Sequence, residues 1–315
     1  MIALKRFAQT LLLGLLAAVV ASGAWAESKE SATPSSKKEE LNAAISKSLE
    51  PSVRTADFNT ILTAKSEQLA IWQYSGNPDI YIFDFQNLTQ QGKTFNRITQ
   101  LTEQFSEPYK RVLTDQEIEK YLASIRRTQA NMAFGNDVIV SDLVLFFNLA
   151  ENDKVELNQE ELMLRDFAIS QGLIKVWRKF YQAVRPNIVI LSIPQTQEKR
   201  ANEPRISELA RRTVLTHELA HGEYFSNSYY AKYCAHFWYN VLTDAQRDVF
   251  KIFLSKYNYG LNREELLVNE MQAYLLFTPD PSSFSAEKLG ITDEELEGLR
   301  KAFRKGMPAT GLPVN

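Results

Sequence analysis

Two of the chain's three histidines stand four positions apart in Thr216-His217-Glu218-Leu219-Ala220-His221, with a glutamate directly after the first. That spacing constrains the backbone more than any other feature of the sequence. Four residues advance an α-helix by about one turn, so on a helix His217 and His221 leave the same face, close enough to grip one ion. Glu218 is rotated by about 100° from His217 on such a helix, which brings its carboxylate beside a metal-bound water and not onto the metal. Imidazole nitrogens suit zinc, and a catalytic zinc takes three protein ligands while keeping one position open. The motif therefore asks for a third ligand elsewhere in the chain.

Composition narrows where that ligand can come from. The single cysteine, Cys234, rules out both a cysteine-based zinc site and an intramolecular disulfide. With 36 basic against 38 acidic side chains, no concentrated basic surface recommends nucleic acid as a partner. A chain 44% hydrophobic and 23% charged fits a globular protein, not a collagenous, disordered or multi-span membrane one. At the start, Lys5 and Arg6 precede an apolar run at residues 11–21, and Ala24-Trp25-Ala26 closes it with a small-x-small signature. This is the pattern of a secretory signal peptide spanning residues 1–26. The run is short of the roughly twenty residues a bilayer span needs, so no stable membrane span is expected after cleavage. The expected location is periplasmic or secreted, in a bacterium. Residues 27–50, rich in Ser, Lys and Glu, read as a flexible polar tether, and residues 51–315 as one unit whose N-terminal part has no assigned role.

Hydrophobic patterning sketches the elements of that unit. Residues 54–72 carry a helical pattern (Phe58, Ile61, Leu62, Leu69), and residues 80–85 form a strand rich in β-branched and aromatic side chains. Thr114-Asp115-Gln116-Glu117 is a capping box that opens a helix. Residues 137–149 suit a buried strand or a buried helix, and periodicity does not choose. Residues 158–181 read as helix interrupted near Gly172, and residues 187–193 as a second strand closed by Pro194. A helix over residues 207–221 ends at Gly222, where a left-handed cap costs little. Caps at Thr243, Asn262 and Thr292 open three more helices, the middle one stopping before Pro279.

That middle helix carries Asn269-Glu270-Met271-Gln272-Ala273-Tyr274, with Glu270 forty-nine positions after His221. Here the chain resembles the gluzincin metallopeptidases, in which H-E-x-x-H is followed on a later helix by a glutamate ligand. In many of them that glutamate sits in an N-E-x-x-A or E-x-x-A-D setting, and Glu270-x-x-Ala273 matches. The resemblance covers residues 207–277. It implies that His217, His221 and Glu270 bind Zn2+ and that Glu218 is the general base for a metal-activated water. It also implies a peptide or protein substrate. The implied fold is α+β and mostly helical: a zincin-like metallopeptidase domain whose small mixed sheet, including residues 81–85 and 188–193, packs beside the metal helices. An edge strand of such a sheet can take a peptide as an added strand.

Some positions stay open. Tyr274 stands where an E-x-x-A-D pattern has aspartate, so nothing in the sequence orients His217. Tyr224, Tyr229, Tyr230, His236 and Tyr274 all compete for the role of transition-state hydrogen-bond donor. Glu264, Glu265 and Glu223 are rival third ligands, although the first two read as parts of a helix cap and the last follows Gly222. His236 lies in an aromatic stretch and reads as a core residue. In the alternative of a non-catalytic, zinc-stabilised envelope binding or scaffold protein, it could close the site as a fourth ligand. Arg211-Arg212 reads as the solvated face of the zinc helix, and Cys234 as a buried, inert thiol.

Overall fold

Alternating side chains on two strands decide the architecture. Ile80 and Ile82, with Val189, Leu191 and Ile193, join one apolar core; Tyr81, Phe83 and Phe85, with Ile188 and Ile190, join a second. A sheet with both faces apolar must be covered on both sides, and helices do this. In the computed structural model, which describes residues 52–103, 111–257 and 259–313, a mixed five-stranded sheet separates the two cores. The expected signal peptide (residues 1–26) and tether (27–50) lie outside the described residues.

The strands are β1 (Val53–Ala56), β2 (Ala70–Tyr74), β3 (Ile80–Phe85), β4 (Asn136–Ile139) and β7 (Val189–Pro194), in the order β1-β2-β3-β7-β4. Strands β3 and β7 are parallel, with Ile80 opposite Val189, whereas β4 runs antiparallel to β7 and forms an edge. A separate ribbon pairs β5 (Ile174–Trp177) with β6 (Phe180–Ala183). One face of the sheet is covered by α2 (Leu88–Thr102), α4 (Val140–Asp153) and α5 (Gln159–Ser170). The other carries α6 (Glu208–Ser226), α7 (Ser228–His236), α8 (Asp244–Ser255), α9 (Glu264–Phe277) and α11 (Asp293–Gly306). The fold is thus α+β, mostly helical, with a small mixed sheet. No helix among the described residues is long and apolar enough to cross a membrane.

Several elements differ from their sequence patterns, each for a local reason. Residues 54–72 are not one helix: Asp57 caps a helix of six residues, α1 (Phe58–Thr63), and β1 and β2 flank it. Residues 137–149 are strand and then helix, β4 passing directly into α4. The helix beginning at residue 159 stops at Ser170, and residues 174–183 form the ribbon. Asn262 is not the cap of α9; Arg263 holds that position without a side-chain bond. The expected boxes at Thr114, Thr243 and Thr292 are all formed; the first opens α3 (Asp115–Ser124), and a short α10 (Ala286–Leu289) precedes α11.

The two largest corrections concern α6. Gly222 does not end it, because the helix runs on to Ser226. A Cβ at Gly222 would meet Ile80 Cδ1 at 2.7 Å, so glycine here serves close helix-to-strand packing. Arg211 is not solvated either; it is 1% exposed. Its guanidinium donates to Asp84 Oδ1 at 2.7 Å and Asp84 Oδ2 at 2.9 Å, and to the carbonyls of Ile61, Leu62 and Pro194. This bidentate pair ties the start of α6 to the C-terminal ends of β3 and β7 and fixes how the helix lies across the sheet.

Removing one member of such a pair strands a buried charge. Arg211→Met is expected to cost about 3–5 kcal/mol in urea-monitored unfolding, and adding Asp84→Leu to recover much of that loss.

Candidate metal centre

Helix α6 presents His217 and His221 on one face, and their rings lie 4.6 Å apart. Helix α9 packs across α6, and the Thr216 hydroxyl donates to the Phe277 carbonyl at 2.8 Å, joining the two helices beside the histidines. The small Ala273 is fully buried, and Glu270 faces the imidazole pair. His217 Nε2 and His221 Nε2 are 3.0 Å apart, and the Glu270 oxygens lie 3.8 and 3.7 Å from them. The expected ligands His217, His221 and Glu270 are thus brought together, with one donor atom from each inside a 4.8 Å span.

The outer ring nitrogens reveal why these donors converge. Thr278 Oγ1 donates its only proton to the Ala273 carbonyl at 3.0 Å, so its 2.8 Å contact with His217 Nδ1 has the imidazole as donor. His221 Nδ1 lies 2.9 Å from Asn269 Oδ1, an acceptor with no proton to give. Gln272 Nε2 also donates to that oxygen, and the Tyr230 hydroxyl donates to Gln272 Oε1 at 2.7 Å, which fixes the amide orientations. With Nδ1 as the donor on each neutral ring, both Nε2 lone pairs turn toward the space between the rings and Glu270. Without a metal ion the 3.0 Å contact is a hydrogen bond from whichever Nε2 carries a proton; with one, both lone pairs turn to the ion. Ligands at zinc-like bond lengths around a tetrahedral ion would sit about 3.3 Å from one another, close to the separations seen here. Glu270 Oε2 is buried without a hydrogen-bond partner, as expected of an oxygen shaped for a metal. The donor set fits a divalent cation.

Glu218 is 6% exposed and approaches the centre from the side of β4. A Cβ at Gly135 would come within 2.1 Å of Glu218 Oε1, so only glycine lets the carboxylate lie against this backbone. Its Oε2 has no partner. Burial, reinforced by the charges of Asp137, Glu103 and Glu270, holds the Glu218 carboxyl well above its ordinary range. Burial likewise pushes Glu270 up to about 7, with His221 opposing and Asp137 adding to the rise. For His217, burial followed by the neighbouring His221 charge disfavours protonation, which leaves the ring free to act as a ligand. A cavity of about 200 Å³ adjoins Glu270, lined also by Glu103, Asp137, Asp142, Arg263 and Glu265.

The competing residues fall elsewhere. Glu223 binds Asn77 and Asn227, Glu264 accepts from Tyr239, and Glu265 lines the cavity without joining the donor group. His236 is not a core residue; it is exposed, bonded to Asn240, and outside the donor group. Tyr229 is exposed, and Tyr230 is committed to Gln272. Tyr274 stacks edge-on to His217 at 4.8 Å, and Tyr259, which the sequence does not single out, is the hydrogen-bonding neighbour of both Glu270 and Tyr274. Burial pushes the Cys234 thiol up to about 12, so it is inert. Sequence reasoning also missed Asn269 and Thr278. Asn269 had a signal, since it precedes Glu270 in the N-E pair, whereas Thr278 lies beyond the helix and had none.

Comparison of the chain with protein-family models, with curated proteins and with solved structures gives no match. The class the site defines is therefore read from its geometry: a candidate metal centre of two imidazoles and one carboxylate.

Losing the groups that orient the rings should weaken metal binding without removing a ligand. Asn269→Ala and Thr278→Val are each expected to lower divalent-metal affinity by about 10–100-fold in chelator competition, with the fold retained by circular dichroism.

Proposed function

We propose that this chain is an exported zinc-dependent peptidase of the gluzincin type, built on a zincin-like domain. The observation that carries the reading is the position of Glu218. A purely structural metal site has no use for a buried carboxylate with an unpartnered oxygen beside three converging ligands. Among the described residues, no fourth His, Cys, Asp or Glu joins the donor group, which matches the three protein ligands of a catalytic zinc.

Each residue then has a defined task. His217, His221 and Glu270 hold zinc, the ion that two imidazoles and a carboxylate suit best. When bound, zinc supplies Lewis acidity, making a water more acidic and polarising the scissile carbonyl. Glu218 takes the water's proton on Oε2 and later passes it to the leaving amine. Its raised proton affinity matches both halves of that transfer. Tyr259 and Tyr274, which neighbour Glu270 and His217, supply hydroxyls that donate to the developing oxyanion. Strand β4, the sheet edge beside Glu218, is where an extended peptide would add as a further strand. Residues 1–26 support export, and the substrate is a peptide or an envelope protein.

The test compares the zinc-loaded chain with its Glu218→Gln variant on a broad peptide library read by mass spectrometry. Zinc content should be unchanged and cleavage should fall by at least about 10²-fold. Equal cleavage by both proteins would remove Glu218 from its role and the peptidase reading with it. Gly135→Ala, which drives a methyl group into the Glu218 carboxylate, should likewise keep its zinc and lose most of its activity.

A further inference from the structure

The β5–β6 ribbon stands apart from the five-stranded sheet, and its register divides it into two faces. Ile174 and Val176 share one face with Tyr181 and Ala183; Lys175 and Trp177 share the other with Phe180 and Gln182. The base of the first face is anchored. Ile174 joins the core shared with α4 and α5, the Tyr181 ring packs 5.4 Å from Phe147, and Asn148 exchanges two hydrogen bonds with the Tyr181 backbone. Beyond that anchor the ribbon projects into solvent. Val176 is 53% exposed, Trp177 54%, and Val184, just after β6, 51%. Gathered at one end of the ribbon, these side chains make a local apolar surface.

The end of the ribbon adds charge. Arg178 and Lys179 form the turn, Lys175 stands two residues before Trp177, and no Asp or Glu occurs between Asp166 and Glu198. The Arg178 guanidinium lies 4.6 Å from the Trp177 ring, and Lys179 Nζ lies 5.0 Å from the Phe180 ring. Arg185 is taken up by Asp79, so the cationic set is Lys175, Arg178 and Lys179. Arg178 holds φ at +58°, where a hairpin turn ordinarily places Gly or Asn and where arginine is strained. Aromatic and aliphatic side chains interleaved with cations, in a chain whose formal charge is −2, match the boundary of an anionic bilayer. Trp settles at the headgroup level, Val enters the acyl boundary, and Lys and Arg reach the phosphates.

We infer that the tip of the β5–β6 ribbon docks this protein onto anionic lipid surfaces. A soluble polyanion would satisfy the cations but leave Val176 and Val184 in water, so lipid accounts for more of the surface. The ribbon belongs to the layer on the opposite face of the sheet from α6 and α9, so docking is separable from the metal centre.

The experiment is co-sedimentation of the full chain with phosphatidylcholine vesicles, with and without a phosphatidylglycerol share of roughly one third. Wild type is compared with Trp177→Ser and with the double variant Arg178→Glu, Lys179→Glu. All three carry the same N-terminal residues, so their differences report the ribbon alone. Their folding is checked by circular dichroism and their metal content by chelator competition. Wild type should partition onto the anionic vesicles, less so at high salt, and the charge-reversed variant should partition at least tenfold more weakly. Trp177→Ser should bind several-fold more weakly and lose the blue shift of tryptophan emission. Equal partition of wild type and both variants would overturn the inference, as would ribbon-dependent retention on heparin with no ribbon-dependent vesicle binding.

Discussion

Two imidazole Nε2 atoms 3.0 Å apart in a buried setting, with the Glu270 carboxylate beside them, are the constraint around which this molecule is arranged. Thr278 and Asn269 accept at Nδ1 of the two rings, which directs both Nε2 atoms to the shared space. Without a proton or a metal ion between them the rings would repel, and Glu270 would be a buried carboxylate raised toward neutrality. With a cation all three groups are satisfied together. The polar chain from Tyr230 through Gln272 and Asn269 to His221 shows how far into the core this arrangement reaches.

The fold makes such an arrangement rigid. A sheet apolar on both faces locks two helical layers onto itself, and α6 is held across it at two points. At one, the Arg211 fork closes on Asp84 and three carbonyls; at the other, Gly222 lets the helix backbone approach Ile80. A second buried pair, Arg97 with Glu161, ties α2 to α5 in the opposite layer and also reaches the Leu113 carbonyl. Edge strand β4 then places Gly135 against Glu218, so one backbone segment both positions the proposed base and borders the open side of the sheet.

Much of this was legible in the residues, and the gaps have physical causes. The spacing of His217 and His221 is a one-turn constraint that local rules find. Glu270 lies on a helix whose pattern is plain, but it is singled out from Glu223, Glu264 and Glu265 by the resemblance of its N-E-x-x-A setting. The two long-range apolar strands were equally clear. Arg211 was misread because a charged residue beside another charged residue looks solvated; only its partner Asp84, 127 positions earlier, makes burial affordable. Gly222 was misread because a cap and a close packing contact have the same residue signature. Asn269 and Thr278 act through geometry that exists only after α9 docks, and Gly135 and Tyr259 reach the site from segments that carry no motif of their own.

The account stands or falls on the cation. X-ray absorption at the zinc edge, with metal content measured on the same sample, tests it most directly. One zinc per chain is expected, surrounded by nitrogen and oxygen at about 2.0–2.1 Å with the multiple scattering of two imidazoles. That signature should be absent from His221→Ala. A content far below one per chain after zinc loading, sulfur scattering from Cys234, or a spectrum that survives the substitution unchanged would contradict it.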